Sequence, residues 1–364
     1  MARRAEGSDG LAGVACLMAA VRHNGGIRVQ EAPACPLCGS SGHIRYEGLL
    51  DRSWDASGSW SFRECLECGH LWLDPRPLPD DISRLYASYY THGTERLSPL
   101  QGDGLWPKCR RGVLEAYGYA GLARDSTERF LGRAMHFVPP IWAECEEIVH
   151  SVQGPPRGRL LDVGCGDGYF LRVMRELGWT VQGLEPDPKA AAVAREQGIE
   201  VIESPIERTP LVADAFDVIT MSHVIEHVPD PIALLVAARR ALKPGGRLFV
   251  FTPNADSWGH AMFGRSWYPL EPPRHLHIFR SRNLVACAER AGLRAVHLRT
   301  TGRLHLIFDA SVSIRRTGRY GFDDPAIRAS LSDRLFRVAE NLLVPLRPHA
   351  GEEIVMCCTK QAPG

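Results

Sequence analysis

The sequence lacks an apolar run of the roughly 18 residues that a membrane-spanning helix needs. It also lacks a dominant charge, because 43 basic residues are balanced by 42 acidic ones and the formal net charge is +1. We therefore expect neither a membrane span nor a broad electrostatic attraction for nucleic acid. We predict a soluble, cytoplasmic protein whose 364 residues form two or three structural units.

Lysine is scarce as well. Only four of the 43 basic residues are lysines, and the arginines are scattered along the chain, which indicates a coding bias rather than a binding surface.

The apolar stretch at residues 11–21 follows acidic residues and precedes no small-residue cleavage site, so it does not fit a signal peptide. We predict a disordered leader over residues 1–34.

Cysteine is abundant, and four of the 11 cysteines form two C-x2-C pairs separated by 26 residues, namely Cys35 with Cys38 and Cys65 with Cys68. Two such pairs supply the four thiolates that a tetrahedral Zn²⁺ ion prefers. Four cysteines leave no open position for a catalytic water, so the pattern predicts a structural zinc ion. The alternative is four unlinked buried thiols.

The two cysteine pairs frame a predicted zinc-binding module over residues 35–92. The stretches "HIRYEGLL" and "SWSFREC" predict a hairpin between the pairs. Residues 35–78 contain four arginines and six acids, and a zinc tetrathiolate adds about two negative charges, so the module does not favour phosphate binding. A short helix after it ends in Tyr86, Tyr89 and Tyr90, which either line a pocket or pack in the core.

A glycine-rich turn carries the strongest signal. The segment "RLLDVGCGDGYFLRVM" predicts a strand ending at Asp162, a turn with Gly164, Gly166 and Gly168, and a helix. The next strand ends at Glu185, 21 residues after Gly164, where an acid can bind both hydroxyls of a ribose. These elements predict a nucleoside-binding βαβ unit. The glycine spacing departs from the dinucleotide pattern G-x-G-x-x-G, which leaves NAD as the less favoured ligand.

The segment "DVGCGDG" resembles the first motif of the class I S-adenosylmethionine-dependent methyltransferases. Residues 216–231 and 241–254 resemble later motifs of that family, and residues 272–293 resemble its ubiquinone-biosynthesis and natural-product subgroup. The resemblance implies an α/β fold with a doubly wound, seven-stranded Rossmann-like sheet in the order 3-2-1-4-5-7-6. The predicted organisation is a zinc-ribbon-like module, a helical linker over 93–157, and a catalytic domain over 158–364 with a helical insertion over 309–346.

The resemblance also implies which residues bind S-adenosylmethionine. Where many relatives carry an acid for the adenine amino group, this chain has Ser204 and Pro205, so adenine is expected to meet backbone atoms near Ile206, with Glu207 as an alternative. The other cofactor contacts implied are Asp162, Gly164, Cys165, Gly166 and Gly168 around the methionine group, Glu185 at the ribose, and Ser222 and His223 at the cofactor's edge.

Residues 223–227 read "HVIEH", an inverted zinc-protease motif. Pro229 and Pro231 limit any helix there to about a turn and a half, so a protease site is not expected. Three interpretations remain open. The favoured one is structural support of the loop; the others are a base or substrate contact by His227, and a divalent cation held by His223, Glu226 and His227.

Methyl transfer often requires a base, and the segment "RHLHIF" supplies the first choice, His275. In an extended segment His275 and His277 would share one face. The alternative for His275 is a loop histidine bonded to the backbone. We expect an oxygen or carbon acceptor in a sugar, a natural-product intermediate or a quinone-like molecule. An RNA methyltransferase that uses the zinc module, and a non-catalytic nucleotide-binding scaffold, are the alternatives.

The insertion contains a helix with apolar residues at regular spacing, namely Leu331, Leu335, Val338 and Leu342, with Arg328, Arg334 and Arg337 alongside. This helix is expected to pack on its own domain; capping the pocket, forming a homodimer and touching lipid head groups are the alternatives.

Overall fold

The computed structural model describes residues 22–86, 98–136, 138–153, 158–302, 307–321, 330–344 and 346–361. No helix in these ranges is both long enough and apolar enough to cross a membrane. The elements of the N-terminal region are β1 (Arg22–Asn24), β2 (Ile27–Gln30), β3 (Gly42–Leu49), β4 (Trp60–Cys65), β5 (Leu71–Leu73), β6 (Arg76–Pro77), α1 (Pro79–Ile82), α2 (Leu105–Tyr117), α3 (Ser126–Met135) and α4 (Pro139–Ile148).

The remaining elements build the central sheet and its covering helices. They are β7 (Arg159–Val163), α5 (Tyr169–Glu176), β8 (Thr180–Leu184), α6 (Pro188–Glu196), β9 (Val201–Ile202), β10 (Phe216–Ser222), α7 (Pro231–Ala241), β11 (Leu242–Pro253), α8 (Trp258–Phe263), β12 (His277–Ile278), α9 (Ser281–Arg290), β13 (Arg294–Thr301), α10 (Ile307–Thr317), α11 (Leu331–Leu343) and β14 (Glu353–Thr359).

The seven strands of the central sheet lie in the order β9-β8-β7-β10-β11-β14-β13. Six of them run in the same direction, and β14 runs antiparallel to both of its neighbours, β11 and β13. This is the order 3-2-1-4-5-7-6, so the predicted sheet is confirmed. Since the carboxyl ends of parallel strands meet at one edge, the residues that follow β7, β8, β10 and β11 gather there.

Burial explains why the glycine-rich segment forms a strand and then a helix. Leu160 and Leu161 in β7 are fully buried, as expected for a parallel strand covered on both faces. In α5, Phe170, Leu171 and Met174 are buried as their helical spacing predicts. The helices α2 and α4 cover the same side of the sheet, because Val113 and Leu114 of α2 and Cys145 of α4 belong to the hydrophobic cluster that contains these α5 residues.

The predicted hairpin between the cysteine pairs is confirmed as β3 and β4. These strands belong to a four-stranded sheet in the order β12-β5-β4-β3, in which His277 pairs with Trp72 and Ile278 with Leu71. The strand β12, about 200 residues later in the chain, therefore completes the sheet of the N-terminal module. The two parts also share a core, since Trp60 and Phe62 lie in one hydrophobic cluster with Trp267 and Ile278.

The predicted disordered leader is wrong for residues 22–30, while residues 1–21 lie outside the described ranges. β1 and β2 form an antiparallel hairpin, and β2 also pairs with β6. The turn contains Gly25 and Gly26, both with positive φ, and Ile27 and Val29 are buried. This alternation of buried and partly exposed residues after a glycine pair is a hairpin signal that the sequence carried.

The insertion between β13 and β14 contains α10 and α11. The carboxylate of Asp309 accepts hydrogen bonds from the backbone N–H (2.8 Å) and the hydroxyl (2.6 Å) of Ser330, which joins the two helices. The expectation that the apolar stripe of α11 packs on its own domain is wrong within the described residues, because its side chains are 52 to 72% exposed; they are Leu331, Leu335, Val338 and Leu342. Arg328 lies outside the described ranges.

Candidate functional site

The glycine turn after β7 is held by the acid at the end of β8. One oxygen of the Glu185 carboxylate accepts from the backbone N–H of Gly166 at 2.9 Å, and the other accepts from that of Asp187 at 2.9 Å. Gly166 adopts φ +54°, and a Cβ placed there would meet no atom within 4 Å. The turn thus keeps an open side at Gly166, where a ligand can approach the backbone.

Two acids of this turn are buried close to each other. Asp162 is 4% exposed, and its carboxylate accepts from the Thr220 hydroxyl at 2.5 Å. Burial, assisted by the nearby charge of Glu185, raises the pKa of Asp162 to about 7. Burial also raises the pKa of Glu185. Neither carboxylate forms an ion pair with a basic side chain in the described part of the chain, so the site is suited to a cationic ligand.

The other predicted cofactor contacts lie around the same sheet edge. Cys165 is buried directly after Gly164, and Gly168 begins α5 as its N-cap residue. Ser222 ends β10, and Ile206 is buried in a short 3-10 turn next to Pro205. The side chain of Glu207 is not among those described. The contacts of all these residues with a cofactor remain predictions.

The segment "HVIEH" forms a turn, in which the backbone N–H of His227 donates to the carbonyl of Val224 at 3.0 Å. The next helix, α7, begins after Asp230, whose carboxylate caps it by accepting from the N–H groups of Ile232 and Ala233. The turn lacks the helix that a protease motif needs. Val224 also lies against the glycine turn, since a Cβ on Gly164 would lie 2.6 Å from its side chain.

His223 lies between two carboxylates. Its φ is +54°, and its Nδ1 and Nε2 each lie 3.1 Å from a carboxylate oxygen, of Glu226 and Glu353 respectively. Burial alone would lower its pKa, but these two hydrogen bonds raise the pKa of His223 to about 10. The least favoured interpretation, a cation held by His223, Glu226 and His227, does not match the geometry, because His223 is not in the converging ligand set that contains Glu226 and His227.

The ligand atoms that do converge belong to Glu226, His227 and His275 and lie within 4.8 Å of one another. Nδ1 of His275 lies 2.6 Å from the carbonyl oxygen of Pro269, which makes Nδ1 the protonated nitrogen and leaves a lone pair on Nε2. Burial lowers the pKa values of His227 and His275 to about 4 each. Both imidazoles are therefore neutral near pH 7.

Tyr86 reaches this cluster from the N-terminal module. Its hydroxyl lies 2.8 Å from Nδ1 of His227, and the same nitrogen lies 3.1 Å from the carbonyl oxygen of Arg274. Burial raises the pKa of the Tyr86 hydroxyl, so it stays protonated. Of the three tyrosines predicted to line a pocket or fill a core, Tyr86 contacts the site, whereas Tyr89 and Tyr90 lie outside the described ranges.

A buried ion pair that the sequence did not predict holds the segment containing His275. Two guanidinium nitrogens of Arg274 donate to the two carboxylate oxygens of Asp51, at 2.9 and 2.6 Å. A third nitrogen donates to Glu271 at 3.0 Å. The side chains of Arg274 and Asp51 have no exposed surface. No local pattern signals the pair, because its members lie 223 residues apart.

The expectation that His275 and His277 share one face of an extended segment is wrong. The N–H of His275 donates to the carbonyl of Glu271, so the chain turns before His275. His277 lies in β12, and its Nδ1 is 3.0 Å from Nε2 of His70 in the N-terminal module. His275 therefore belongs to the candidate site, and His277 belongs to the buried interface with the module.

The aromatic loop after β11 packs in the core at two of its positions. Trp267 is fully buried, and its indole N–H donates to Glu352 at 2.7 Å. Phe263 is buried as well, whereas Trp258 stacks on Phe336 of α11 with ring centroids 5.0 Å apart. Trp267 and Phe263 are therefore part of the core.

The four cysteines of the N-terminal module form one cluster. Sγ of Cys38 lies 3.4 Å from that of Cys65 and 3.7 Å from that of Cys68, and the Cys35 and Cys68 sulfurs are 3.7 Å apart. A tetrahedral zinc site with Zn–S bonds of about 2.3 Å requires S–S distances of about 3.8 Å. The spacing therefore fits a single tetrahedral ion. The N–H of Cys68 also points at Sγ of Cys65, 3.4 Å away, and supports the thiolate.

Comparison with known proteins agrees with this geometry. A family model described as a methyltransferase domain matches residues 134–298. The ubiquinone biosynthesis O-methyltransferase of Ralstonia nicotianae is 34% identical over 200 residues, which cover 50% of this chain and 83% of that protein. The protein of the same name from Xanthomonas axonopodis pv. citri is 31% identical over 175 residues, covering 44% and 72%.

A solved structure from Thermotoga maritima, a methyltransferase described as a possible histamine N-methyltransferase, is 23% identical with a TM-score of 0.41 and covers 64% of this chain and 97% of that one. The extent and identity of the match to the ubiquinone biosynthesis O-methyltransferases, together with the matching family model, identify this chain as an enzyme of the class I S-adenosylmethionine-dependent methyltransferase family.

Proposed function

We propose that the enzyme methylates an oxygen or carbon atom of a small-molecule acceptor, in a sugar, a natural-product intermediate or a quinone-like compound. The observation that carries the proposal is the convergence of two neutral imidazoles, His227 and His275, with the carboxylate of Glu226. Glu226 and His227 lie in the turn whose Val224 packs against Gly164. A neutral imidazole with a free lone pair is the group that removes a proton from an acceptor. The name of the relatives supports oxygen as the acceptor atom.

S-adenosylmethionine, when bound, supplies an electrophilic methyl group on a positively charged sulfur. The residues that would hold it are Asp162 and the turn from Gly164 to Gly168 for the methionine part, Glu185 for the ribose, and the backbone near Ile206 for adenine. The open side of the turn at Gly166 and the two buried acids fit such a ligand. The ammonium and sulfonium groups would provide the positive charge that Asp162 and Glu185 lack among the described residues.

The proposed base is His275. Its Nδ1–H donates to the carbonyl of Pro269, so that Nε2 carries the lone pair that accepts the acceptor's proton. The carboxylate of Glu271, 3.6 Å from Nε2, would stabilise the imidazolium that forms. A base with a pKa of about 4 is weak, which favours an acidic hydroxyl such as a phenol, with a pKa of about 10, over an ordinary alcohol.

We infer that the four cysteines of the N-terminal module hold a structural zinc ion. The distances between the sulfur atoms support the assignment of one zinc ion, and four cysteine ligands leave no coordination position for water. The zinc would act through the fold, by fixing the module that carries Tyr86 and Asp51. We propose no step of the reaction at the metal.

The proposal is tested with purified protein, S-adenosylmethionine labelled in its methyl group, and extract from the source organism fractionated into small molecules and RNA. We expect label in a small molecule, with the methyl group on oxygen or carbon by mass spectrometry. The His275→Gln variant should bind S-adenosylhomocysteine like the unmodified protein but lose turnover. Label in RNA would support the alternative acceptor class, and cofactor binding with no labelled product in either fraction would support a scaffold.

A further inference from the structure

The helix α11 presents an apolar stripe that no described part of the chain covers. Leu331, Leu335, Val338 and Leu342 are exposed by 72, 59, 52 and 68%. At 100° per residue, their spacing places all four within about 60° of the helix surface. Leu346, just after the helix, is 78% exposed. The four side chains form one row about 16 Å long that points away from the protein's own core, which makes it a candidate binding face.

The opposite side of α11 is firmly packed, so the stripe is not the outer side of a loose helix. Phe336 is buried and stacks on Trp258. Asp333 and Glu340 are also buried, and a carboxylate oxygen of Glu340 accepts from the backbone N–H of Glu352 at 2.6 Å. The folded core therefore fixes which residues of α11 face outward.

The charges on this surface have one sign. Every exposed Asp, Glu, Lys or Arg of the insertion, within the ranges 307–321, 330–344 and 346–349, is an arginine. The acids of the same ranges take part in internal contacts, as Asp309 does with Ser330. Arg316 and Arg334 have no carboxylate within ion-pair distance in the described part of the chain. Arg334 borders the stripe, about 40° round the helix from Val338. An apolar stripe with an unpaired arginine at its edge complements a partner that is apolar and anionic at once.

We propose that the exposed face of α11 binds the surface of an anionic lipid bilayer. The leucines would enter the boundary between head groups and acyl chains, while the arginines pair with lipid phosphates. A second copy of the chain fits less well. A two-fold interface would set arginines near arginines, and a helix of 13 residues offers a footprint of about 200 Å², far below the roughly 800 Å² per partner of a standard interface.

The position of α11 relative to the segment that carries His275 matters for the reaction, if the proposed function holds. Within the same insertion, α10 packs on the loop after β11, where Phe308 contacts Phe263 with ring centroids 5.6 Å apart and the hydroxyl of Ser311 accepts from the N–H of Tyr268 at 3.0 Å. That loop leads to the segment that carries His275. Binding at α11 would therefore bring the acceptor side of the enzyme to the bilayer, where a lipid-soluble acceptor resides.

The test is co-sedimentation of the full-length protein with vesicles of phosphatidylcholine alone or with about 30% phosphatidylglycerol. We expect at least tenfold stronger partitioning onto the anionic vesicles, weakened by salt. The double variant Leu335→Gln/Leu342→Gln should lose this binding. The matched control Leu105→Gln/Val212→Gln, which alters residues exposed by 65 and 73% elsewhere, should retain it. Arg316→Gln and Arg334→Gln should each weaken anionic binding about fivefold without affecting neutral vesicles.

Two results would overturn the proposal. One is equal binding of the unmodified protein and the leucine double variant to anionic vesicles. The other is the absence of vesicle binding. Sedimentation velocity would then show either a dimer that the double variant dissociates, or a monomer. A monomer whose melting temperature falls in the double variant would mean that the chain covers its own stripe. Calorimetry with S-adenosylhomocysteine on each variant measures the cofactor site separately. A failure of the proposed methyl transfer can therefore be distinguished from a failure of membrane binding.

Discussion

Arg274 and Asp51 join the N-terminal module to the segment before His275 through a bidentate ion pair with no exposed surface on either side chain. Arg274 immediately precedes His275, and Asp51 lies in the loop that connects β3 and β4. The N-terminal module therefore fixes the backbone that carries the proposed base. A buried pair of this kind contributes to a unique arrangement of the site, and it is costly to break because one charge is left behind.

We predict that Asp51→Asn lowers the free energy of unfolding by roughly 3 kcal/mol. The amide keeps the shape but removes the charge, while Arg274 retains Glu271 as an ion-pair partner. Urea unfolding followed by circular dichroism measures the change. The control is Asp103→Asn, which removes an exposed ion pair with Arg124 and should cost less than about 1 kcal/mol. Equal effects of the two substitutions would contradict the prediction.

The Tyr86 hydroxyl, 2.8 Å from Nδ1 of His227, gives a second prediction. Tyr86→Phe keeps the ring and removes the partner that helps to orient the imidazole, so we expect kcat to fall about tenfold, within the range that acid–base partners contribute. The affinity for S-adenosylhomocysteine should not change. Steady-state kinetics and calorimetry separate the two quantities.

Tyr46→Phe is the matched control for Tyr86→Phe. It removes a hydroxyl from the same module, and this hydroxyl also lies 2.8 Å from a histidine, Nε2 of His260. His260 lies outside the candidate site, so kcat should be maintained. If both variants lost stability and activity to the same extent, Tyr86 would have a purely structural role.

The sequence predicted the parts of the molecule that depend on local patterns. Glycine spacing and the acid at Glu185 located the glycine turn between β7 and α5, and Pro229 and Pro231 indicated the short turn of "HVIEH". The contacts between the module and the catalytic part were beyond such reasoning. The strand β12 has only two residues and pairs with β5 across about 200 positions, so it leaves no periodic pattern. Arg274 and Asp51 are charged residues in loops, which a sequence alone assigns to solvent.

The charge of His223 was also hidden in the sequence. The sequence suggested that His223 contacts the edge of the cofactor or binds a metal. Only the position of Glu353, 130 residues later, places it between two carboxylates and makes it an imidazolium. The expectation that the apolar stripe of α11 packs on its own domain failed for a different reason. Helical spacing was read correctly, but periodicity does not tell whether an apolar face meets the protein's own core or a partner.

Metal removal gives a third prediction. We expect about one zinc ion per chain in purified protein, and less than about a tenth of that in Cys35→Ser/Cys38→Ser, because loss of two thiolates destroys the tetrahedral shell. Cys109→Ser, a buried cysteine of α2 outside the cluster, should keep its zinc. Elemental analysis by mass spectrometry measures the content.

Loss of zinc should uncouple turnover from cofactor binding. The module would release Tyr86 and Asp51, whereas β7 and β8 keep their strand pairing and the packing of β7 against α5, which do not involve the cysteines. Turnover should therefore fall by more than about tenfold while some S-adenosylhomocysteine binding is retained. If full turnover persisted in zinc-free protein, the metal would have no role in the site.

The buried acid Asp162 gives a fourth prediction, which is that ligand binding releases a proton from its carboxyl group. Its pKa is raised to about 7, so the free enzyme holds this carboxyl largely protonated at pH 6. Because the folded pKa lies above the ordinary value, the group favours folding most below pH 4 and progressively less as the pH rises to 7. A cationic ligand reverses this preference by stabilising the carboxylate, and binding must then release the proton.

We therefore expect S-adenosylhomocysteine, which retains the ammonium group, to release up to about 0.8 of a proton at pH 6 if the bound pKa falls to about 5. Calorimetry in buffers of different ionisation enthalpy measures this number as the slope of the observed heat. The slope should fall towards zero at pH 8.5, where Asp162 is already ionised. In Asp162→Asn it should be small at both pH values, because only Glu185 remains to titrate. A heat of binding that does not depend on the buffer at pH 6 would mean that the ligand's positive charge does not lie beside this carboxylate.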